Sequence, residues 1–179
     1  MPTSSPPDLW TTLAVEAERE SRLWGEALRP VPERETEAVF SSLGPEPYAL
    51  GVETIYEGYL LHYGRPRLFA PADADTALLL GDYLYAHGLD RIARFDDVRV
   101  VSDLAQLISL CAQIHADGAG DDGPLWAATA ALLGRDALEE ARAALRLDLD
   151  AGPLRVLAVD AVGEDAVERA LAAHRARLR

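Results

Sequence analysis

Residues 76–116 read TALLLGDYLYAHGLDRIARFDDVRVVSDLAQLISLCAQIHA and contain two long segments with helical periodicity. In the first segment, apolar residues recur at Leu80, Leu84 and Ile92, a spacing that places them on one face of a helix. In the second, Leu104, Cys111 and other apolar residues at similar intervals share a face. A short charged turn separates the two segments. We therefore predict an antiparallel helical hairpin, with each segment forming one helix, at the middle of the core.

Capping and turn signals on both sides of this hairpin predict further helices. The predicted ranges are 9–28, 33–43, 47–63, 125–133, 136–147 and 164–178, and Asp73 or Asp75 is expected to cap the first hairpin helix. An apolar patch at 154–159 fits either a short helix or a strand. The chain is accordingly predicted to be all-α, a single helical domain over residues 1–179 in which residues 1–8 are disordered.

Charge and composition exclude several classes of function. The formal net charge is -13, and all 17 basic residues are arginine. A nucleic-acid-binding protein needs a basic patch, and no run of arginines is present. The absence of lysine also excludes Schiff-base lysines and the P-loop lysine. Asparagine is absent as well, and a GC-rich genome is the simplest cause of both absences.

The sequence has no feature that directs it to a membrane or out of the cell. Its apolar runs are too short to cross a bilayer, and its first ten residues, MPTSSPPDLW, lack the basic and apolar regions of a secretion signal. A cytoplasmic location is therefore expected. The single cysteine, Cys111, lies in an apolar helical stretch and is predicted to be a buried free thiol.

Two groups of charged residues could handle a diphosphate and a metal ion. Arg65 and Arg67 flank a proline that stiffens their segment, and arginine forks match phosphate oxygens. Carboxylates bind Mg²⁺, and Asp73, Asp75 and Asp82 follow shortly afterwards. The alternative interpretation is that the aspartates are helix caps with one structural carboxylate, and that the arginines belong to a surface connection between helices.

The segment HADGAGDDG at 115–123 contains His115, Asp117, Asp121 and Asp122. A metal ion could be placed among them, but their order does not match a calcium-binding loop, which needs ligands at alternate positions and a late glutamate. We interpret the segment as a solvated helix end. The other histidines are His62, His87 and His174, and they lack the paired spacing of a zinc motif.

Three stretches, HYGRPRLF, TALLLGDYLYAHGLDRIA and VVSDLAQLISLCAQIHADG, resemble the middle of the polyprenyl synthetase family, the trans-isoprenyl diphosphate synthases. In that family an Arg-Arg-Gly-x-Pro-Thr turn leads into a helix with the signature Leu-x-Gly-Asp-x-Leu. The matching residues here are Gly64, Pro66, Leu79, Gly81, Asp82 and Leu84. A later Lys-Thr-Ala-x-Leu-Phe element of the family resembles ATAALL at 128–133. The resemblance covers residues 50–135.

The departures from this family fall on its diphosphate and metal contacts. Those enzymes hold an allylic diphosphate with Mg²⁺ between two Asp-Asp-x-x-Asp motifs, and this chain has neither motif. Glu53 and Glu57 stand where the first motif is expected, and Ala128 stands in place of the lysine. His62-Tyr63 replaces the arginine pair, and the part of the family that carries the second motif is expected to be truncated. The resemblance thus implies a retained helical scaffold without the chemistry.

The resemblance implies a non-catalytic, isoprenoid-synthase-like helical bundle that acts as an interaction or regulatory subunit. It implies either a homodimer or a heteromer with a catalytic prenyl synthase. The predicted interface is the face carrying Tyr83, His87 and Ile108. The alternative is a divergent isoprenoid diphosphate-binding protein or prenyltransferase that uses Arg65, Arg67 and Mg²⁺, and a third is an unrelated bundle with a coincidental likeness.

Overall fold

A computed structural model describes residues 8–118 and 120–178. Within these ranges the chain forms nine α-helices and three short 3-10 turns, and it contains no β-strand, which confirms the all-α class. The helices are α1 (Leu9–Glu20), α2 (Arg22–Glu26), α3 (Ala49–Tyr63), α4 (Ala74–Ala93), α5 (Val98–Asp117), α6 (Gly123–Ala131), α7 (Glu139–Asp148), α8 (Gly152–Val162) and α9 (Glu164–Arg177). The ambiguous patch at 154–159 is therefore helical.

The predicted N-terminal helix is divided in two. Ser21 adopts an extended conformation after α1, and its hydroxyl accepts a hydrogen bond from the backbone N–H of Leu23 in the first turn of α2. A serine that caps a new helix in this way competes with continuation of the old one. Asp8 is the last residue of the segment predicted to be disordered, but its position before the first helix also predicts a cap, and it does cap α1 by accepting from the N–H of Thr11 at 2.8 Å. The rest of that expectation concerns residues 1–7, which lie outside the described ranges.

The helix predicted over 33–43 is wrong. Only Val31–Glu33 and Ser41–Leu43 form 3-10 turns there, and the chain between them is irregular. Its backbone groups bond to distant residues instead: the N–H of Glu35 donates to the carbonyl of Arg67, and the carbonyl of Glu37 accepts from its guanidinium. Tertiary hydrogen bonds have replaced the helical ones in this segment.

The predicted hairpin of α4 and α5 forms, and Asp73 caps α4 by accepting from the N–H of Thr76 at 2.7 Å. Two other helices are enclosed on all sides: α6 along its whole length, and α3 over residues 51–61. The α3 helix lies antiparallel to α4, with Gly51 beside Gly88 and Gly58 beside Gly81. A Cβ atom added at Gly58 would lie 2.9 Å from the carbonyl oxygen of Gly81. These glycines therefore allow the two backbones to approach closely.

The apolar interior has two parts. The larger is built from α3, α5, α6, α8 and α9, and the smaller lies between α1 and the first half of α4. Cys111 is in the larger part with no exposed surface, which confirms the predicted buried thiol. Within the described residues, no helix is both long enough and apolar enough to span a membrane.

Candidate functional site

Two buried polar clusters meet at Tyr56 on α3. The Arg67 cluster consists of Arg67, Glu53 and Glu57, and the aromatic ring of Tyr56 lies 5.0 Å from the guanidinium carbon. The Asp122 cluster consists of Asp122, Tyr59, His115 and His174, and the hydroxyl of Tyr56 lies 2.9 Å from Nδ1 of His174. One helix thus positions both groups inside the bundle.

Every carboxylate oxygen of the Arg67 cluster accepts a hydrogen bond. The guanidinium donates to Glu53 at 2.5 Å and to Glu57 at 2.9 Å. The remaining two oxygens accept from the backbone N–H groups of Ser41, at 3.1 Å, and Leu68, at 2.7 Å. All three charged side chains have no exposed surface. Because each carboxylate oxygen already accepts a hydrogen bond and a buried guanidinium already balances their charge, this pair has little capacity for a metal ion.

The arrangement also fixes the charge of Arg67. Burial opposes the charged form, but the two carboxylates raise the pKa of Arg67 above its ordinary value. Its guanidinium is covered on one face by Trp10, whose ring centroid lies 4.5 Å away. Arg65, by contrast, is exposed. The structure therefore does not bring the two arginines together on a surface where both could hold a diphosphate.

The three aspartates considered as a Mg²⁺ site do not converge. Asp73 uses both carboxylate oxygens on the N–H and hydroxyl of Thr76, and these hydrogen bonds lower its pKa. Asp75 lies exposed in the first turn of α4, and Asp82 lies two turns later beside His62, at 3.3 Å. Successive turns of one helix carry these carboxylates away from one another.

The residues of the predicted interface do not share one face. The ring of Tyr83 stacks on Trp24, with centroids 5.7 Å apart, and His87 contacts Glu16 at 3.2 Å. The chain's own N-terminal helices therefore cover this part of α4. Ile108 packs instead against the larger apolar core. The structure gives no support to a single partner-binding face that carries all three residues, and that interface stays a prediction.

The Asp122 cluster links three helices at one end of the bundle. Oδ1 of Asp122 accepts from the hydroxyl of Tyr59 at 3.0 Å and lies 2.9 Å from Nε2 of His174. His115, near the end of α5, lies 3.0 Å from the same hydroxyl and 3.3 Å from Oδ2 of Asp122. Asp122 and His174 are 1% and 0% exposed. The neighbouring Asp121, which is not a member of the cluster, is exposed, so the cluster lies next to the surface.

The surroundings of Asp122 keep it ionised. Burial opposes the charge, but the hydrogen bond and charge of His174, the hydroxyl of Tyr59 and the charge of His115 together lower the pKa of Asp122. Burial, and then the Asp122 charge, raise the pKa of Tyr59. The same two causes raise the pKa of Cys111. The tyrosine is thus a neutral hydrogen-bond donor to a charged carboxylate, the thiol is neutral as well, and neither is an activated nucleophile.

Sequence reasoning missed this cluster. The segment at 115–123 was expected to be a solvated helix end, and His174 lies 52 residues from Asp122 along the chain. One signal was present in the sequence: Pro124 follows Asp122-Gly123. Proline in the first turn marks the start of a helix, and the free amide groups at a helix start need hydrogen-bond partners. That signal places a helix end but gives no indication of burial.

A groove lies where α7 meets α8. It encloses about 690 Å³ and is lined by Ala137, Ala141, Pro153, Val156 and Leu157, with Glu140 and Asp150 also on its wall. Val156 is 57% exposed. An apolar concavity with carboxylates beside it is suited to an apolar segment that carries basic flanking residues.

No protein-family model matches this chain, and no curated protein or solved structure matches it.

Proposed function

We propose that this protein is a non-catalytic helical subunit, of the isoprenoid-synthase type, that binds a partner protein. The observation that carries the proposal is the saturation of Glu53 and Glu57 by Arg67 and two backbone amides. The resemblance places these two carboxylates where a catalytic synthase has its first metal-binding motif. Here a guanidinium occupies the position between them, so the charge that a metal would neutralise is already neutralised.

The binding surface in this proposal is the groove between α7 and α8. The face with Tyr83 is covered by the protein's own helices, whereas Val156 in the groove is open to solvent. The net charge of -13 and the nearby Glu140 and Asp150 favour a basic partner. The proposed occupant is therefore an apolar helical segment of a partner protein, such as a catalytic prenyl synthase, that is flanked by lysine or arginine.

A thermal-shift titration with an isoprenoid diphosphate, in the presence and absence of Mg²⁺, tests the non-catalytic part. We expect the melting temperature to change by less than about 1 °C, because a ligand stabilises a protein only when it binds the folded state. A Mg²⁺-dependent rise that Arg65→Ala weakens would contradict the proposal. Such a result would support the alternative function, a diphosphate-binding protein.

Fluorescence anisotropy tests the groove. The probe is a labelled helical peptide with leucine on one face and lysine on the other. We expect Val156→Gln to weaken binding by about fivefold or more, since an apolar contact at the centre of an interface contributes about 1 kcal/mol or more. The matched control is Leu78→Gln on α4, because Leu78 is 54% exposed and lies outside the groove.

Two results would overturn the proposed occupant. Equal affinities for wild type, Val156→Gln and Leu78→Gln would show that the peptide binds through charge alone. A dimer in light scattering that Val156→Gln dissociates would show that a second copy of the chain fills the groove.

A further inference from the structure

The loop before α6 and the last turns of α9 bring together a set of metal-binding side chains. Single ligand atoms of Asp121, Asp122 and His174 lie within 4.8 Å of one another, and no other group of three such residues is found in residues 8–118 and 120–178. Nε2 of His115 lies 3.3 Å from Oδ2 of Asp122 but is not part of this group. The group comprises two carboxylates and one imidazole.

A second observation points to a ligand at this position. Asp122 is only 1% exposed, and its buried Oδ2 has no hydrogen-bond donor among the described residues. His115 is near this oxygen, but its hydrogen bond is made with the hydroxyl of Tyr59. A buried carboxylate oxygen without a donor destabilises the folded state, and a cation bound there removes that cost.

We propose that Asp121, Asp122 and His174 form a binding site for a divalent transition-metal ion such as Zn²⁺, with water as the fourth ligand. Imidazole nitrogen favours Zn²⁺ over Mg²⁺, which prefers oxygen ligands. Bonds of about 2.0–2.2 Å place the ligand atoms of a tetrahedral zinc about 3.4 Å apart. The ligand atoms of the three residues lie within 4.8 Å of one another, so side-chain rotations are needed to bring them to this spacing.

The surrounding residues fit this role. When zinc replaces the proton on Nε2 of His174, Nδ1 carries the remaining proton and donates to the hydroxyl of Tyr56, 2.9 Å away. A hydrogen bond of this kind orients a metal-bound histidine. Oδ1 of Asp121 accepts from the N–H of Gly123 at 2.9 Å, which leaves Oδ2 for the ion. The guanidinium of Arg175 lies 3.8 Å from that oxygen and competes with a cation.

The ion would connect the loop before α6 to the end of α9, beside the end of α5. These elements contact each other at the cluster through side chains that are far apart in sequence. A bound ion therefore stabilises the folded state by mass action, and its removal loosens the attachment of α9. This site is separate from the α7–α8 groove, and failure of one proposal leaves the other standing.

The test is a Zn²⁺ titration of chelator-treated protein, followed by calorimetry and by elemental analysis after gel filtration. We expect one tightly bound zinc per chain, and a melting temperature raised by roughly 5–10 °C when zinc exceeds Kd about 100-fold. Mg²⁺ at the same concentration should leave the melting temperature unchanged. Absence of retained zinc, or an equal effect of Mg²⁺, would overturn the proposal.

Three variants locate the ion. Asp121→Asn removes a ligand from an exposed position while the amide oxygen still accepts from Gly123, so the fold is retained, and we expect zinc affinity to fall at least about tenfold. The matched control is Asp117→Asn, an exposed aspartate at the end of α5, which should leave affinity unchanged. Arg175→Gln removes the competing guanidinium and should tighten binding. Equal affinities for wild type, Asp121→Asn and Asp117→Asn would overturn the site.

Discussion

Replacing Arg67 with methionine is expected to lower the free energy of unfolding by about 3–5 kcal/mol, the usual cost of removing one partner from a buried ion pair. The loss arises because Glu53 and Glu57 stay buried while their shared counter-charge is gone. Methionine retains much of the volume under Trp10, so the effect reports charge and hydrogen bonding rather than a cavity. Equilibrium urea denaturation followed by tryptophan fluorescence measures it.

Two further proteins complete this experiment. Arg65→Met, at an exposed arginine two residues away, should change stability by no more than about 0.5 kcal/mol. The triple variant with Arg67→Met, Glu53→Gln and Glu57→Gln should recover part of the loss, because the amides still accept from Ser41 and Leu68 without burying charge. A loss below about 1 kcal/mol for Arg67→Met alone would contradict the arrangement of the Arg67 cluster.

Replacing Gly58 with leucine is expected to lower the free energy of unfolding by about 3 kcal/mol or more, because a larger side chain cannot fit between two closely packed helices. A Cβ at Gly58 would lie 2.9 Å from the backbone oxygen of Gly81 and 3.2 Å from side-chain atoms of Leu84 and Tyr85. Backbone cannot move aside as a flexible side chain can. The helices α3 and α4 must therefore separate, which exposes core surface on both.

The matched control for this variant is Ala86→Leu, on the exposed face of α4. It adds a comparable side chain to the same helix pair without entering the contact, so we expect a change within about 0.5 kcal/mol. Stability of Gly58→Leu equal to that of Ala86→Leu would mean that α3 and α4 do not approach through these glycines.

The local pattern of the sequence was sufficient for the hairpin. Apolar residues at intervals of three and four define α4 and α5, and the aspartate before α4 supplies its cap. These features depend on residues that are neighbours in the chain, so sequence alone predicts them. The same reasoning failed at 33–43, where a helical pattern is present but the backbone bonds to Arg67 and Glu53 instead. Propensity is a weak influence compared with buried tertiary hydrogen bonds.

The central position of α3 was decided by the tertiary structure. Glu53 and Glu57 look like the polar face of a surface helix. They are buried only because Arg67, fourteen residues from Glu53 and ten from Glu57, folds back between them. The sequence shows small residues, glycines, at positions 51, 58, 81 and 88. Their contact with one another depends on how α3 and α4 are aligned, which the sequence does not show.

The sequence by itself determined that this protein is all-α, acidic, and equipped with a buried thiol. These properties follow from composition and from short-range periodicity. Only the tertiary structure decided which charges are buried and which side chains meet. It buried Asp122 against His174, and it covered Tyr83 with the N-terminal helices. The physical reason is that burial and pairing of charges depend on contacts between distant residues, which no local pattern encodes.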